Sequence, residues 1–119
     1  DFFKPLHTNG TRVQVITEGD TGQQLSEVQT THLFRIIQEA VSNAYRYAEA
    51  RMISIRLSIN ADKQLRISIE DDGKGFDINQ LSHGNGLKNM QTRMKELSGE
   101  LRIFSSPGVG TKIEGAIKL

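Results

Sequence analysis

Four short clusters in this sequence combine residue types that hold cations, heterocycles or phosphate. Glu39 and Asn43 lie four residues apart. On a helix that spacing puts a carboxylate and a carboxamide on one face, and such oxygen ligands suit a hard cation like Mg²⁺. The same pair also reads as two boundary residues hydrated at a helix edge. The run Ile69-Glu70-Asp71-Asp72-Gly73-Lys74-Gly75-Phe76 ends an apolar stretch in carboxylates and passes into glycine. A carboxylate held there can accept a hydrogen bond from an exocyclic amine such as that of adenine, and the glycines allow close backbone approach. An ordinary turn accounts for the same residues, since Asp-Gly is a common turn pair.

Gly84-Asn85-Gly86-Leu87 stands directly before a helical pattern. A helix N-terminus presents unpaired N–H groups and partial positive charge to phosphate, although glycine at that point also serves plain geometry. The run fits neither G-x-x-x-x-G-K-[ST] nor G-x-G-x-x-G. Lys88 follows the glycines closely enough to meet phosphate. Ser106 to Thr111 reads as a hairpin turn, with the Thr111 hydroxyl available to a ligand. The three histidines, His7, His32 and His83, are scattered and show no metal-ligand spacing. His7 and His32 read as structural or solvated and His83 as loop surface. Met90 and Met94 read as core, and Arg93 as solvated or paired.

These clusters need elements to place them. Residues 11–18 alternate, with Val13, Val15 and Thr17 on one side, which predicts a strand. Residues 19–22 (GDTG) are turn chemistry. From about Ser26 to Ala50 the period becomes helical, with Leu33, Ile36, Ile37, Ala40, Val41, Ala44 and Ala48 on one stripe. Ser26 or Thr30 is the expected N-cap. Two alternating runs, 52–59 and 65–69, flank Asn60-Ala61-Asp62-Lys63 and predict a hairpin. Residues 71–86 form a glycine-rich loop. Leu87, Met90, Met94 and Leu97 restore helical spacing, and Gly99 is the expected stop. Strands over 100–105 and 111–119 close the chain around Pro107-Gly108-Val109-Gly110. The order β, α, β, β, loop, α, β, β implies an α/β (α+β) two-layer sandwich of helices on a mixed, mostly antiparallel sheet.

The length of 119 residues suits one domain with a core of its own. Residues 1–10 read as a linker or the tail of an upstream element, and 11–119 as the domain. Fifteen basic and fourteen acidic residues leave a charge of +1, with no nucleic-acid footprint and no polybasic anchor. The absence of cysteine excludes disulfides and thiolate chemistry and fits a reducing cytosol. No apolar run reaches the roughly 20 residues needed to span a bilayer. Direct membrane contact by this domain is therefore not expected, although a larger parent protein could be anchored. Lacking an initiator methionine, the chain is expected to be a piece of such a parent.

In order along the chain, the clusters resemble the nucleotide-binding boxes of two-component sensor histidine kinases. Residues 38–48 (QEAVSNAYRYA) look like the asparagine box, 71–76 (DDGKGF) like the first glycine box, 84–87 (GNGL) like the second, and 108–111 (GVGT) like the closing turn. The similarity is greatest to the subgroup with Asp-Asp-Gly-x-Gly-Phe, a short lid and a Gly-Leu-x-Asn-Met-x-x-Arg helix, which is GLKNMQTR at 86–93 here. That subgroup usually has Lys-His where this chain has Arg46-Tyr47.

The resemblance implies the Bergerat ATP-binding fold, ATP and Mg²⁺ as cofactors, and transfer of the γ-phosphate to a histidine on a separate dimerisation domain. It implies Asn43 as the magnesium ligand and Glu39 as organiser of the metal's water and assistant in catalysis. Arg46, Tyr47, Leu87 and Lys88 would line the ATP site, although Tyr47 also falls in the apolar arc. Asp71 would take the adenine amine, with Gly73 and Gly75 shaping the pocket and Thr111 supporting it through water. Gly84 and Gly86 would hinge a lid over 76–83. The implied partners are the dimerisation domain of the same protein and a response regulator. A serine kinase of the anti-sigma-factor type, and a nucleotide-sensing module that has lost catalysis, share this fold and stand as the alternatives.

Overall fold

The computed structural model describes residues 11–19, 25–46, 49–75 and 86–119, with the backbone alone at Arg46. The elements are β1 (Arg12–Gly19), α1 (Glu27–Arg46), β2 (Met52–Ile59), β3 (Gln64–Asp71), α2 (Gly86–Glu96), β4 (Glu100–Ser106) and β5 (Gly110–Lys118). The sheet order is β1-β2-β3-β5-β4. β1 and β2 are parallel, with α1 between them in sequence, and every other neighbouring pair is antiparallel. The expected two-layer, mostly antiparallel arrangement is what forms. The expected linker over 1–10, most of the GDTG turn and the lid over 76–83 lie outside the described residues.

α1 begins with a reciprocal cap. The Gln29 N–H donates to Ser26 Oγ at 3.1 Å, and the Ser26 N–H donates to Gln29 Oε1 at 2.9 Å. This is a capping box on the pattern S-x-x-Q, and it selects Ser26 over Thr30 as the N-cap. The predicted stripe is buried from Leu33 to Ala44; Ala48 lies outside the described residues. α2 buries Met90 and Met94, while Leu87 and Leu97 pack at the margin of the same core.

The end of α2 differs from expectation. Ser98, not Gly99, takes the left-handed conformation, at φ 56°. Its N–H donates to the Lys95 carbonyl at 2.9 Å, and the Gly99 N–H donates to the Met94 carbonyl at 2.9 Å, which makes a Schellman motif with Ser98 at its turning point. Gly99 serves space instead of rotation: a Cβ there would lie 2.6 Å from Ile117 Cγ2 and 2.7 Å from Met94 Sδ.

Period-2 alternation divides the sheet into two faces. The register lines up Ile55, Ile69, Ile113 and Ile103 as one cross-strand row against the helices. One pleat further along, the same face carries Ile53, Asp71, Thr111 and Ser105. On β3, β5 and β4 the apolar packing surface thus becomes polar in a single step at the strand ends, while Ile53 keeps β2 apolar. The opposite face is hydrophilic, its central row running Arg56, Ser68, Glu114, Arg102.

Candidate nucleotide site

α1 presents Glu39 and Asn43 on one side of its apolar stripe, both half-buried. α2 begins directly against them. A Cβ on Gly86 would collide with Glu39 Oε1 and lie 3.2 Å from Asn43 Nδ2. Packing between the two helices therefore brings the carboxylate, the carboxamide and the first residue of α2 to one point. A helix start carries unpaired N–H groups and partial positive charge, and here it stands beside two oxygen-bearing side chains. Hard-cation ligands and phosphate-type donors become neighbours at that place. Leu87 is half-buried against the core and Lys88 is exposed on the first turn of α2. Arg46 belongs to the last turn of α1, and its side chain, like Tyr47 and Gly84, lies outside the described residues.

Asp71 ends β3 on the helix-facing side of the sheet. Its Oδ1 accepts a hydrogen bond from the Gly73 N–H at 2.8 Å, a local turn that holds the carboxylate in one orientation. Burial pushes its pKa above the ordinary carboxylate value. The Gly73 and Thr111 N–H groups pull the other way, and the charges of Asp72 and Glu70 add to the rise. The group is thus a half-buried carboxylate whose burial outweighs the backbone N–H bonds it accepts.

Asp72, its exposed neighbour, has a different task. Its Oδ1 accepts from the Arg51 N–H at 2.8 Å and the Met52 N–H at 3.0 Å. Those bonds hold its pKa below the ordinary value and tie the exit of β3 to the entrance of β2. Sequence reasoning assigns this residue no such task, because its partners lie some twenty positions away and no spacing announces them.

Gly75 adopts φ 65°. A Cβ there would collide with the Ser106 carbonyl oxygen and lie 2.9 Å from that of Gly110. The Gly108 N–H donates to the Lys74 carbonyl. Any side chain at Gly75 would push the glycine loop off the β4–β5 hairpin. Lys74 also pairs with Glu49 at 3.2 Å in an exposed bridge, a contact worth little on its own. Thr111 is buried, and its Oγ1 lies 2.8 Å from Ser105 Oγ, which also donates to the Gly110 carbonyl at 3.2 Å. Sequence reasoning misses Ser105 as well. A signal exists, since a hairpin centred on Gly108 places position 105 opposite 111.

Of the histidines, His32 lies on α1 with Nδ1 3.5 Å from Arg93 Nη1 of α2, so both residues belong to the helix–helix contact, and His7 and His83 lie outside the described residues. Among the described residues no three His, Asp or Glu side chains gather as a metal cluster, and no helix is long and apolar enough to cross a membrane.

Comparison with known proteins bears on the family and on the fold. A family model described as histidine kinase-, DNA gyrase B-, and HSP90-like ATPase matches residues 28–119. The sensor histidine kinase LiaS of Bacillus subtilis (strain 168) is 42% identical over 84 residues, covering 70% of this chain and 23% of LiaS. The sensor protein VraS of Staphylococcus aureus (strain COL) is 43% identical over 84 residues, covering 70% of this chain and 24% of VraS. The chain thus matches about a quarter of the length of these curated relatives. Among solved structures, the histidine kinase domain of the blue-light activated histidine kinase of Erythrobacter litoralis EL346 superimposes with a TM-score of 0.75 at 24% identity. That match covers 90% of this chain and 52% of the other, and it supports the fold.

Proposed function

This chain belongs to the histidine kinase-, DNA gyrase B- and HSP90-like ATPase family, and from that premise we propose that it binds Mg-ATP and donates the γ-phosphate to a histidine on a separate dimerisation domain, in two-component signalling. The observation that carries the proposal is the seating of Gly86, at the start of α2, against Glu39 and Asn43 of α1. The names of the relatives, a sensor histidine kinase and a sensor protein, favour histidine over serine as the acceptor.

The residues fit a magnesium ion. Glu39 and Asn43 offer hard oxygen ligands beside a position that a Cβ would fill. Two such side chains leave most of an octahedral shell to phosphate oxygens and water, so the ion is expected to arrive with the nucleotide. Bound there, magnesium would supply charge neutralisation on the phosphate chain. Asn43 would be its direct ligand, and Glu39 would orient its water and assist proton removal from the acceptor. Asp71 would accept from the adenine amine, with Gly73 and Gly75 shaping the pocket and Thr111 assisting through water. Arg46, Tyr47, Gly84, Leu87 and Lys88 would complete the nucleotide surroundings. Phosphoryl transfer asks mainly for positioning and electrostatic stabilisation, and this constellation is of that kind. The dimerisation domain of the parent protein and a response regulator would be the partners. The domain would work in the cytoplasm whether or not the parent is anchored.

The test is calorimetric titration with a non-hydrolysable ATP analogue, with and without Mg²⁺, on the wild type, Asn43→Ala and Asp71→Ala. The expected result is Mg²⁺-dependent binding that Asn43→Ala weakens and Asp71→Ala abolishes. It would be followed by phosphotransfer to an added histidine-bearing dimerisation domain. No binding by the wild type at millimolar nucleotide would reject an active kinase domain and favour a module that has lost catalysis.

A further inference from the structure

The row Asp71–Thr111–Ser105 has a feature that its outer member controls. A serine hydroxyl carries one hydrogen. Ser105 Oγ lies 3.2 Å from the Gly110 carbonyl oxygen and 2.8 Å from Thr111 Oγ1. A carbonyl can only accept, so the contact with Gly110 requires the Ser105 hydrogen. The contact with Thr111 is then satisfied only if the Thr111 hydroxyl donates to Ser105. The opposite choice leaves two acceptors facing each other at Gly110.

We infer that Ser105 is a specificity-determining residue of the nucleotide site: it fixes the Thr111 hydroxyl as a hydrogen-bond acceptor toward the ligand side, so that Asp71 and Thr111 together present acceptors only and select a 6-aminopurine over a 6-oxopurine. This rests on the nucleotide reading given above and adds to it the residue that sets base preference. When ionised, Asp71 can only accept, and Thr111, with its hydrogen committed to Ser105, has lone pairs alone to offer. An exocyclic amine, or a water that donates toward these groups, matches that row. The O6 atom of a 6-oxopurine meets acceptors and leaves polar groups unpaired, which is a strong source of discrimination. Ser105 acts through Thr111 and is a positioning residue.

The test has two arms. In the first, one preparation each of wild type, Ser105→Ala, Ser105→Thr, Thr111→Val and the double variant Ser105→Ala/Thr111→Val is titrated with non-hydrolysable analogues of ATP and ITP. The ratio of the two affinities does not depend on the folded fraction, so partial destabilisation does not obscure it. Loss of Ser105 releases the Thr111 hydrogen to donate toward O6. Ser105→Ala should then narrow the ATP-to-ITP ratio about fivefold, the worth of one ordinary hydrogen bond. Ser105→Thr should keep the wild-type ratio, and the double variant should match Thr111→Val. An unchanged ratio in Ser105→Ala, or a double variant that departs from Thr111→Val, overturns the role of Ser105.

The second arm is neutron diffraction of the nucleotide-free domain. Deuterium on Thr111 Oγ1 directed at Ser105, with that of Ser105 directed at Gly110, supports the assignment, and the reverse overturns it. A wild type that binds neither analogue removes the nucleotide reading and the base preference together. Binding with a ratio insensitive to Ser105 removes the base preference alone.

Discussion

Asp71 and Asp72 are adjacent carboxylates that burial and hydrogen bonding drive in opposite directions. Asp71 is raised chiefly by burial, and a ligand amine would favour its charged form. Nucleotide binding should therefore lower the Asp71 pKa, and affinity should fall as the pH drops through the value of the free domain. Carboxyl-detected NMR titration with and without the ATP analogue measures this, and an Asp71 curve indifferent to ligand would count against its contact with the base. Gly86 makes a second case. In Gly86→Ala the new methyl meets Glu39 Oε1, and the carboxylate must swing away. Helix propensity changes stability by at most about 1 kcal/mol, whereas the Mg²⁺-dependent part of nucleotide affinity should drop about tenfold, as expected for a disturbed hydrogen bond or ligand bond of a charged group. Glu39, Asn43, Asp71 and Thr111 could be singled out from sequence because each stands at a fixed offset within a local pattern. Asp72 could not be valued in the same way, since its partners lie some twenty positions away at the start of a neighbouring strand, and Ser105 is marked only by the hairpin that sets it opposite Thr111.

Among the elements, helix starts were easier to read than helix ends. The Ser26 and Gln29 cap is a local motif written in four consecutive residues, whereas the close of α2 is decided by tertiary contact. β5 approaches Gly99 so closely that position 99 must be glycine for space, and the left-handed turn is left to Ser98. Ser98→Gly should accordingly raise stability by about 1 kcal/mol, because glycine accepts that conformation without the steric cost an L side chain bears. Gly99→Ala should lower it by about 1–3 kcal/mol through overpacking against Met94 and Ile117. Urea denaturation of the two variants decides the matter: equal effects would mean that the two positions do not divide the work in this way. The strands were located by alternation to within a residue or two at each end. Their order in the sheet was not legible, because alternation identifies a buried face without naming the neighbouring strand.

For the molecule as a whole, acid sensitivity should follow the two aspartates with opposite signs. Asp72 has a folded pKa below its unfolded value. Its contribution is present above the ordinary carboxylate range and is lost as the pH falls from about 4 through the folded value. Asp71 has a folded pKa above its unfolded value, so its ionised form costs stability at neutral pH and protonation relieves that cost. Thermal melts between pH 7 and 2 should show Asp72→Asn with a flatter acid limb than the wild type. Asp71→Asn should melt higher at neutral pH while losing the nucleotide. A lower neutral melting point for Asp71→Asn would mean that its bonds to Gly73 and Thr111 outweigh its burial. The two-layer architecture was legible from the order of periodic segments, because a helix stripe and a strand face must cover one another. The meeting of Gly86 with Glu39 and Asn43 was not, because it depends on how α2 lies across α1. The isoleucine row next to Asp71, Thr111 and Ser105 has a practical use. With only the δ1 methyl carbons of isoleucine isotopically labelled, Ile55, Ile69 and Ile113 become sensors of occupancy one pleat from the polar row, reporting through their own chemical shifts with no foreign probe attached.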